Sequence, residues 1–162
     1  MIRRLEEKDL EEVARIWLDS NIEAHSFISE TYWRENFKIV KEMFLDTEVY
    51  IFEKAGEIQG FIGMMDDYIA GIFVKCEARS RGVGKELLDY VKERKPHLTL
   101  SVYQKNEKAF RFYQRENFVI EAEADVYKRQ MRRFRHLKKR LKMKNITRRV
   151  WERKKYNTMQ TG

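Results

Sequence analysis

The sequence predicts an α/β fold on a mixed sheet, with elements in the order βααβββαβαβ. Three observations carry this expectation. Apolar residues recur at helical spacing twice before residue 46, β-branched and aromatic runs broken by turns fill Thr47 to Val74, and helical and extended segments then alternate to about residue 123.

Ile2 to Leu5 suits a short first strand. Asp9 stands as an N-cap with Glu12 three residues on as its capping-box partner, and Leu10, Val13, Ala14 and Trp17 share a face, which predicts a helix over 9–20. Ser29 caps a second helix to Leu45, with Trp33, Phe37, Val40 and Phe44 on one side. Between them, 21–28 forms a connector. A three-strand meander follows: Glu48 to Glu53, a turn at 54–57, Ile58 to Met65, a turn at 66–67, then Tyr68 to Val74. Gly60, Gly63 and Gly71 inside it mark bulges or close approaches to the backbone. Val83, Leu87, Leu88 and Val91 predict a helix over 82–95, stopped by Pro96. A strand at 98–102, a helix at 106–116 and a strand at 118–123 complete the body.

Composition divides the chain in two. Residues 1–123 carry 19 Lys+Arg against 24 Asp+Glu, a net charge of −5, whereas 124–162 carry 15 against 2, a net charge of +13. The expected organisation is therefore a domain over 1–124 and a basic tail over 125–162. Cys76 is the only cysteine, so no internal disulfide can form, and no Cys/His cluster supplies a metal site. The amino terminus lacks the apolar core of a signal peptide and no apolar run is long enough to span a bilayer, which makes a cytoplasmic protein the expectation.

The segment Ile72 to Lys85 carries the chemistry. It passes from a strand through an Arg- and Gly-rich turn into a helix whose first turn holds two glycines. Amides at a helix N-terminus attract anions, and missing side chains let a pyrophosphate approach them. Arg79, Arg81 and Lys85 add positive charge there. An ordinary strand-to-helix turn with solvated arginines would have the same composition.

Arg79-x-x-Gly82-x-Gly84 after a strand resembles the acyl-coenzyme A signature of the GNAT superfamily of N-acetyltransferases. Asn106-x-x-Ala109-x-x-Phe112-Tyr113-x-x-x-Asn117-Phe118 resembles the family's following helix, with Asn117 where glycine is usual. Asn is the next-best residue for the left-handed conformation that ends such a helix. The 21–28 connector is similar to one bacterial branch of small acetyltransferases. The resemblance covers 1–123 and implies a GNAT-like mixed sheet.

By position, it implies that Phe73 and Val74 offer backbone groups to the pantetheine of acetyl-CoA. Arg79, Ser80, Arg81, Gly82, Val83 and Gly84 would hold the pyrophosphate, with Lys85 at the edge, and Asn106 would contact the pantetheine arm. Tyr113 takes the place of the phenol that protonates the departing thiolate, although a core tyrosine beside Phe110 and Phe112 would look the same. His25, Phe27 and Ile28 of the connector would face the acceptor, with Tyr32 and Trp33 nearby. His25, Glu77 and Asp66 are conceivable bases. The implied reaction is direct attack of a primary amine, of a small molecule or protein, on acetyl-CoA. No metal is needed, Cys76 is a bystander, and the chain would be a monomer or homodimer.

Nothing after residue 124 resembles the family's final strand, expected beside Leu98 to Val102. Residues 125–130, Asp-Val-Tyr-Lys-Arg-Gln, are those encoded by GAT GTG TAT AAG AGA CAG, the transposon end used in sequencing libraries. On that reading 125–130 are adapter-derived and 131–162 are foreign or out of frame. Tyr127, Met131, Phe134, Leu137 and Leu141 nevertheless fall at helical spacing among Lys and Arg, which predicts a basic amphipathic helix to about residue 145. Such a tail on an inactive acetyltransferase-like scaffold would bind nucleic acid or an anionic surface.

Overall fold

The computed structural model describes residues 1–126 and 129–137, with side chains described as far as Glu121. Strand β1 (Ile2–Arg4) leads through a 3-10 turn into α1 (Leu10–Ala24) and α2 (Glu30–Met43). The meander β2 (Glu48–Lys54), β3 (Glu57–Met65) and β4 (Tyr68–Val74) follows, then α3 (Val83–Arg94), β5 (His97–Tyr103), α4 (Glu107–Arg115), β6 (Val119–Val126) and β7 (Arg129–Leu137). The strands form one sheet in the order β1-β2-β3-β4-β5-β7-β6. β4 and β5 are parallel, and the other neighbours are antiparallel.

Strand alternation gives the sheet two apolar faces. Tyr50, Phe52, Ile62 and Leu100 pack with Leu87, Leu88 and Val91 of α3 and Tyr113 of α4. Val49, Ile51 and Phe61 point the other way, toward Val13 and Trp17 of α1 and Trp33 of α2. The site is thereby set between two helical layers.

Two capping expectations are corrected. Asp9 makes no side-chain cap to α1; the capping box instead joins Glu6 to Asp9 around the preceding 3-10 turn. Its carboxylate accepts from Arg3 Nη1 at 2.7 Å, Arg3 Nη2 at 3.0 Å and the Glu6 amide at 2.9 Å. The Arg3 guanidinium holds the Asp9 carboxyl below its ordinary range. Arg3 and the Glu6 amide together commit this carboxylate to the turn before the helix. Ser29 likewise occupies the N-cap of α2 without a side-chain bond, and its carbonyl accepts from Tyr32 N at 3.1 Å.

The expected loss of the final strand is also corrected. β7 lies antiparallel to β5, from His97 opposite Leu137 to Tyr103 opposite Met131, in the slot the family order assigns to that strand. The helix expected over this stretch is absent at 129–137, and the sheet runs past the boundary expected at residue 124. The physical reason is an edge: β5 would otherwise present a row of unpaired backbone groups, and a chain returning from β6 through two residues satisfies them whatever its helical periodicity. Residues 127, 128 and 138–162, with Leu141 and the rest of the expected helix, lie outside the described residues.

Hydrogen exchange tests this pairing. The full chain is expected to protect β5 amides facing β7, and a chain cut after Val126 to lose that protection together with a few kcal/mol of stability, on the order of 1 kcal/mol per ladder bond. Equal protection in both would show that β7 does not hold the edge.

Candidate active site

The parallel pair β4 and β5 is in register at Tyr68 with Thr99 and Ile69 with Leu100, and beyond these residues the ladder ends. The cause lies on the other side of β4. Gly63 pairs with Gly71 and Met64 with Ile69, so Ala70 is an extra residue bulged out of the β3–β4 ladder. A bulge bends its strand and increases its twist. This one falls immediately after the last residue joined to β5, and the two strands fork. Ile72 to Val74 flank one side of the opening and Ser101 to Tyr103 the other.

At the open end of β4 the chain makes a 3-10 turn, Cys76–Ala78, and enters α3. Ser80 at φ 58° and Gly82 at φ 85° are both left-handed. Gly82 is the N-cap and offers no side chain, so the first amides of α3 have no side-chain cap. A Cβ at Gly82 would meet nothing within 4 Å, so the space before the helix is open. One at Gly84 would lie 3.6 Å from the Phe112 ring and 3.8 Å from Val74, which shows how closely α3, α4 and β4 converge. Open amides, the helix dipole and the exposed Arg81 suit a pyrophosphate, and the unladdered edge of β4 suits a peptide-like arm. The residues therefore fit acetyl-CoA.

The expected cofactor residues divide by what their side chains do. Arg79 ties the molecule together: Nε donates to the Val74 carbonyl at 3.1 Å and Nη1 pairs with Glu23 of α1 at 2.6 Å. Lys85 Nζ bonds Asp89 at 2.5 Å, which raises its pKa, and lies 3.7 Å from Glu116. The Val74 side chain packs toward α3, whereas Phe73 turns to the α1–α2 face. Its ring covers Gly71, where an added Cβ would come within 2.4 Å of it.

Phe73 also lines a cavity of about 60 Å³ between α1, α2 and the sheet, with Trp17, Asn21, Trp33, Asn36 and Ala70. The buried Trp33 Nε1 has no hydrogen-bond partner among the described residues. Asn21 and Asn36 donate to the carbonyls of Trp17 and Tyr32 on their own helices at 2.9 and 2.7 Å.

Tyr113 is buried, its ring edge-on to Phe112 and Phe118. Burial, and secondarily Tyr68 at the closed end of the fork, push its phenol well above the ordinary range, so it stays protonated at neutral pH. Asn106 caps α4, its Oδ1 accepting from Ala109 N at 3.3 Å. Asn117 adopts the left-handed φ of 66° expected of it.

The connector meets the cofactor side directly. His25 Nε2 lies 3.4 Å from Asn106 Nδ2, and the buried ring stacks on Trp33 and meets Tyr103 edge-on at 4.9 Å. Phe27 is 39% exposed and touches His25 and Tyr103, whereas Ile28 packs into the α1–α2 core. Of the other conceivable bases, Asp66 sits in the β3–β4 turn and Glu77 in the 3-10 turn, at opposite ends of β4. Tyr103 went unnoticed in the sequence; its one signal was an aromatic at the carboxyl end of a strand beside a topological switch. Among the described residues no helix is long and apolar enough to cross a membrane, and no three His, Cys, Asp or Glu side chains cluster as metal ligands.

A forked parallel pair with an open helix N-terminus at its mouth defines an acyl-CoA-dependent acyltransferase. Residues 46–120 match the family model described as an acetyltransferase (GNAT) domain. The chain is 38% identical over 122 residues to the peptidyl-lysine N-acetyltransferase YiaC of Escherichia coli, an alignment covering 74% of this chain and 84% of that one. The solution structure of apo YjaB from Escherichia coli superposes with a TM-score of 0.75 at 24% identity, over 83% of this chain and 95% of that one. A Salmonella typhimurium structure of yncA, described with its cofactor acetyl-CoA, gives 0.64 at 12% identity, over 90% and 97%. The chain belongs to the GNAT family and is an acyl-CoA-dependent N-acetyltransferase. The nucleic-acid-binding alternative is not favoured.

Gly82→Val is expected to lower acetyl-CoA affinity at least about tenfold by placing a branched side chain before the α3 amides, with roughly 1–2 kcal/mol of backbone strain. Gly56→Val, at a φ of 78° in the β2–β3 turn with equal open space, is the matched control and should cost stability alone. Calorimetric titration of both variants separates the two effects.

Proposed function

We propose that this enzyme acetylates lysine side chains of proteins. The observation that carries the reading is the meeting of the acceptor-side connector with the cofactor side, His25 against Asn106 at the fork. The similarity to YiaC, named for peptidyl-lysine acetylation, supplies the acceptor class. The exposed Phe27 and the body's net charge of −5 suit a cationic segment on a protein surface.

Acetyl-CoA supplies an activated thioester carbonyl. Phe73 and Val74 hold the arm through the open edge of β4, while the amides from Ser80 to Gly84, with Arg81, hold the pyrophosphate. Arg79 acts from behind, fixing the end of β4 through the Val74 carbonyl. A backbone amide of β4 polarises the carbonyl, and a lysine amine, once deprotonated, attacks it. Tyr113 returns a proton to the departing sulfur: burial keeps the phenol protonated until then, and the negative charge developing on the sulfur supplies the drive that the raised pKa opposes. His25 and Phe27 line the approach, with Ile28 bracing the connector from the core.

Tyr113→Phe is expected to lower kcat about 10²-fold with little change in the acetyl-CoA KM. The assay is steady-state transfer to a panel of lysine peptides, checked against small polyamines. An unchanged kcat would reduce Tyr113 to a core residue, and transfer to polyamines alone would overturn the protein acceptor.

A further inference from the structure

The contact between His25 and Asn106 bears on which ring nitrogen carries the proton. Asn106 Oδ1 is occupied as the α4 cap, accepting from Ala109 N, so its amide end faces His25 Nε2 at 3.4 Å. An amide nitrogen only donates, so this contact is a hydrogen bond only in the Nδ1–H tautomer, with Nε2 presenting its lone pair. An imidazolium would set two donors against each other. The ring cannot easily turn away, because it is stacked on Trp33 at 5.4 Å and meets Phe27 and Tyr103 at 5.6 and 4.9 Å. Among the described residues, the Tyr103 phenol from the end of β5 meets the ring, and Lys105 from the following turn places its Nζ 5.4 Å from the centre of the Phe27 ring. Lys105 also disfavours a second positive charge, while the Trp33 face favours one.

Asn106 is also the residue proposed to contact the pantetheine arm, and its amide cannot serve both partners fully. We propose that Asn106 holds His25 as a neutral imidazole with its Nε2 lone pair engaged, and that the pantetheine arm, by drawing this amide to itself, frees His25 as the base for the acceptor amine. This rests on the acetyl-CoA site proposed above and adds an order to it. The base becomes competent when the acyl donor is in place. In the step, an N–H bond of the acceptor ammonium breaks and its electron pair remains on nitrogen as the attacking lone pair. The proton goes to Nε2, making an imidazolium that later returns it to solvent.

The test is nitrogen-detected NMR of His25 in the full chain, free and saturated with coenzyme A. The free protein should show the Nδ1–H tautomer, and coenzyme A should raise the titration midpoint of His25 by about one pH unit. Asn106→Ser keeps a capping oxygen but lacks the amide, so its midpoint should already be raised when free and should not move further. His25→Gln should retain coenzyme A affinity, lose about 10²-fold in kcat and lose the acid limb of the pH–rate profile. Coenzyme A that binds wild type without moving the midpoint, or an Nε2–H tautomer in the free protein, overturns the proposal and leaves the cofactor site standing. Failure of coenzyme A to bind a folded chain overturns both.

Discussion

The bulge at Ala70 is the constraint on which the site depends. It ends the β4–β5 ladder after two registered pairs and opens a mixed sheet near its centre, where backbone groups are normally paired. An unpaired strand edge is a liability unless something holds it. Here the free end of β4 is anchored from outside the ladder: Arg79 joins the Val74 carbonyl to Glu23, and Lys75 Nζ reaches Glu12 at 2.6 Å. Both anchors end on α1, so this helix braces the open end of β4.

Two of the three cationic side chains around the α3 N-terminus are paired within the chain. Lys85 is bonded to Asp89 and lies near Glu116, and Arg79 is engaged with Glu23. Left without a side-chain partner are the first helical amides, opened by two left-handed residues, with Arg81 exposed beside them, an arrangement suited to an anion. Amides cost no reorganisation when a ligand arrives, whereas a paired cation must first leave its partner. Arg79, expected as a phosphate ligand, is bonded here to the Val74 carbonyl and to Glu23.

Local chemistry was legible where one segment decided it. The meander, its turns and the span of α3 were read to within a residue or two, because alternation, Gly and Pro punctuation and a single apolar stripe agree there. Asn117 was read correctly for the same reason. Asp9 was misread as the α1 cap because its carboxylate is claimed by Arg3, a partner six residues away across a turn. The 129–137 segment was misread as helix because its apolar spacing is helical while an open edge on β5 required a strand. Backbone pairing of this kind asks little of side chains, so filling the slot says nothing of how the segment came to be encoded.

By itself the sequence determined the α/β class and the glycine-bearing turn before α3, since each is written in contiguous residues whose conformational preferences point one way. Tertiary structure alone decided the fork, the use of Arg79 as a strut, the turning of Phe73 onto Gly71 and the meeting of His25 with Asn106 across 81 positions of chain. Those features arise where two segments compete for one partner. Which contact wins is settled by burial and geometry that no local pattern encodes.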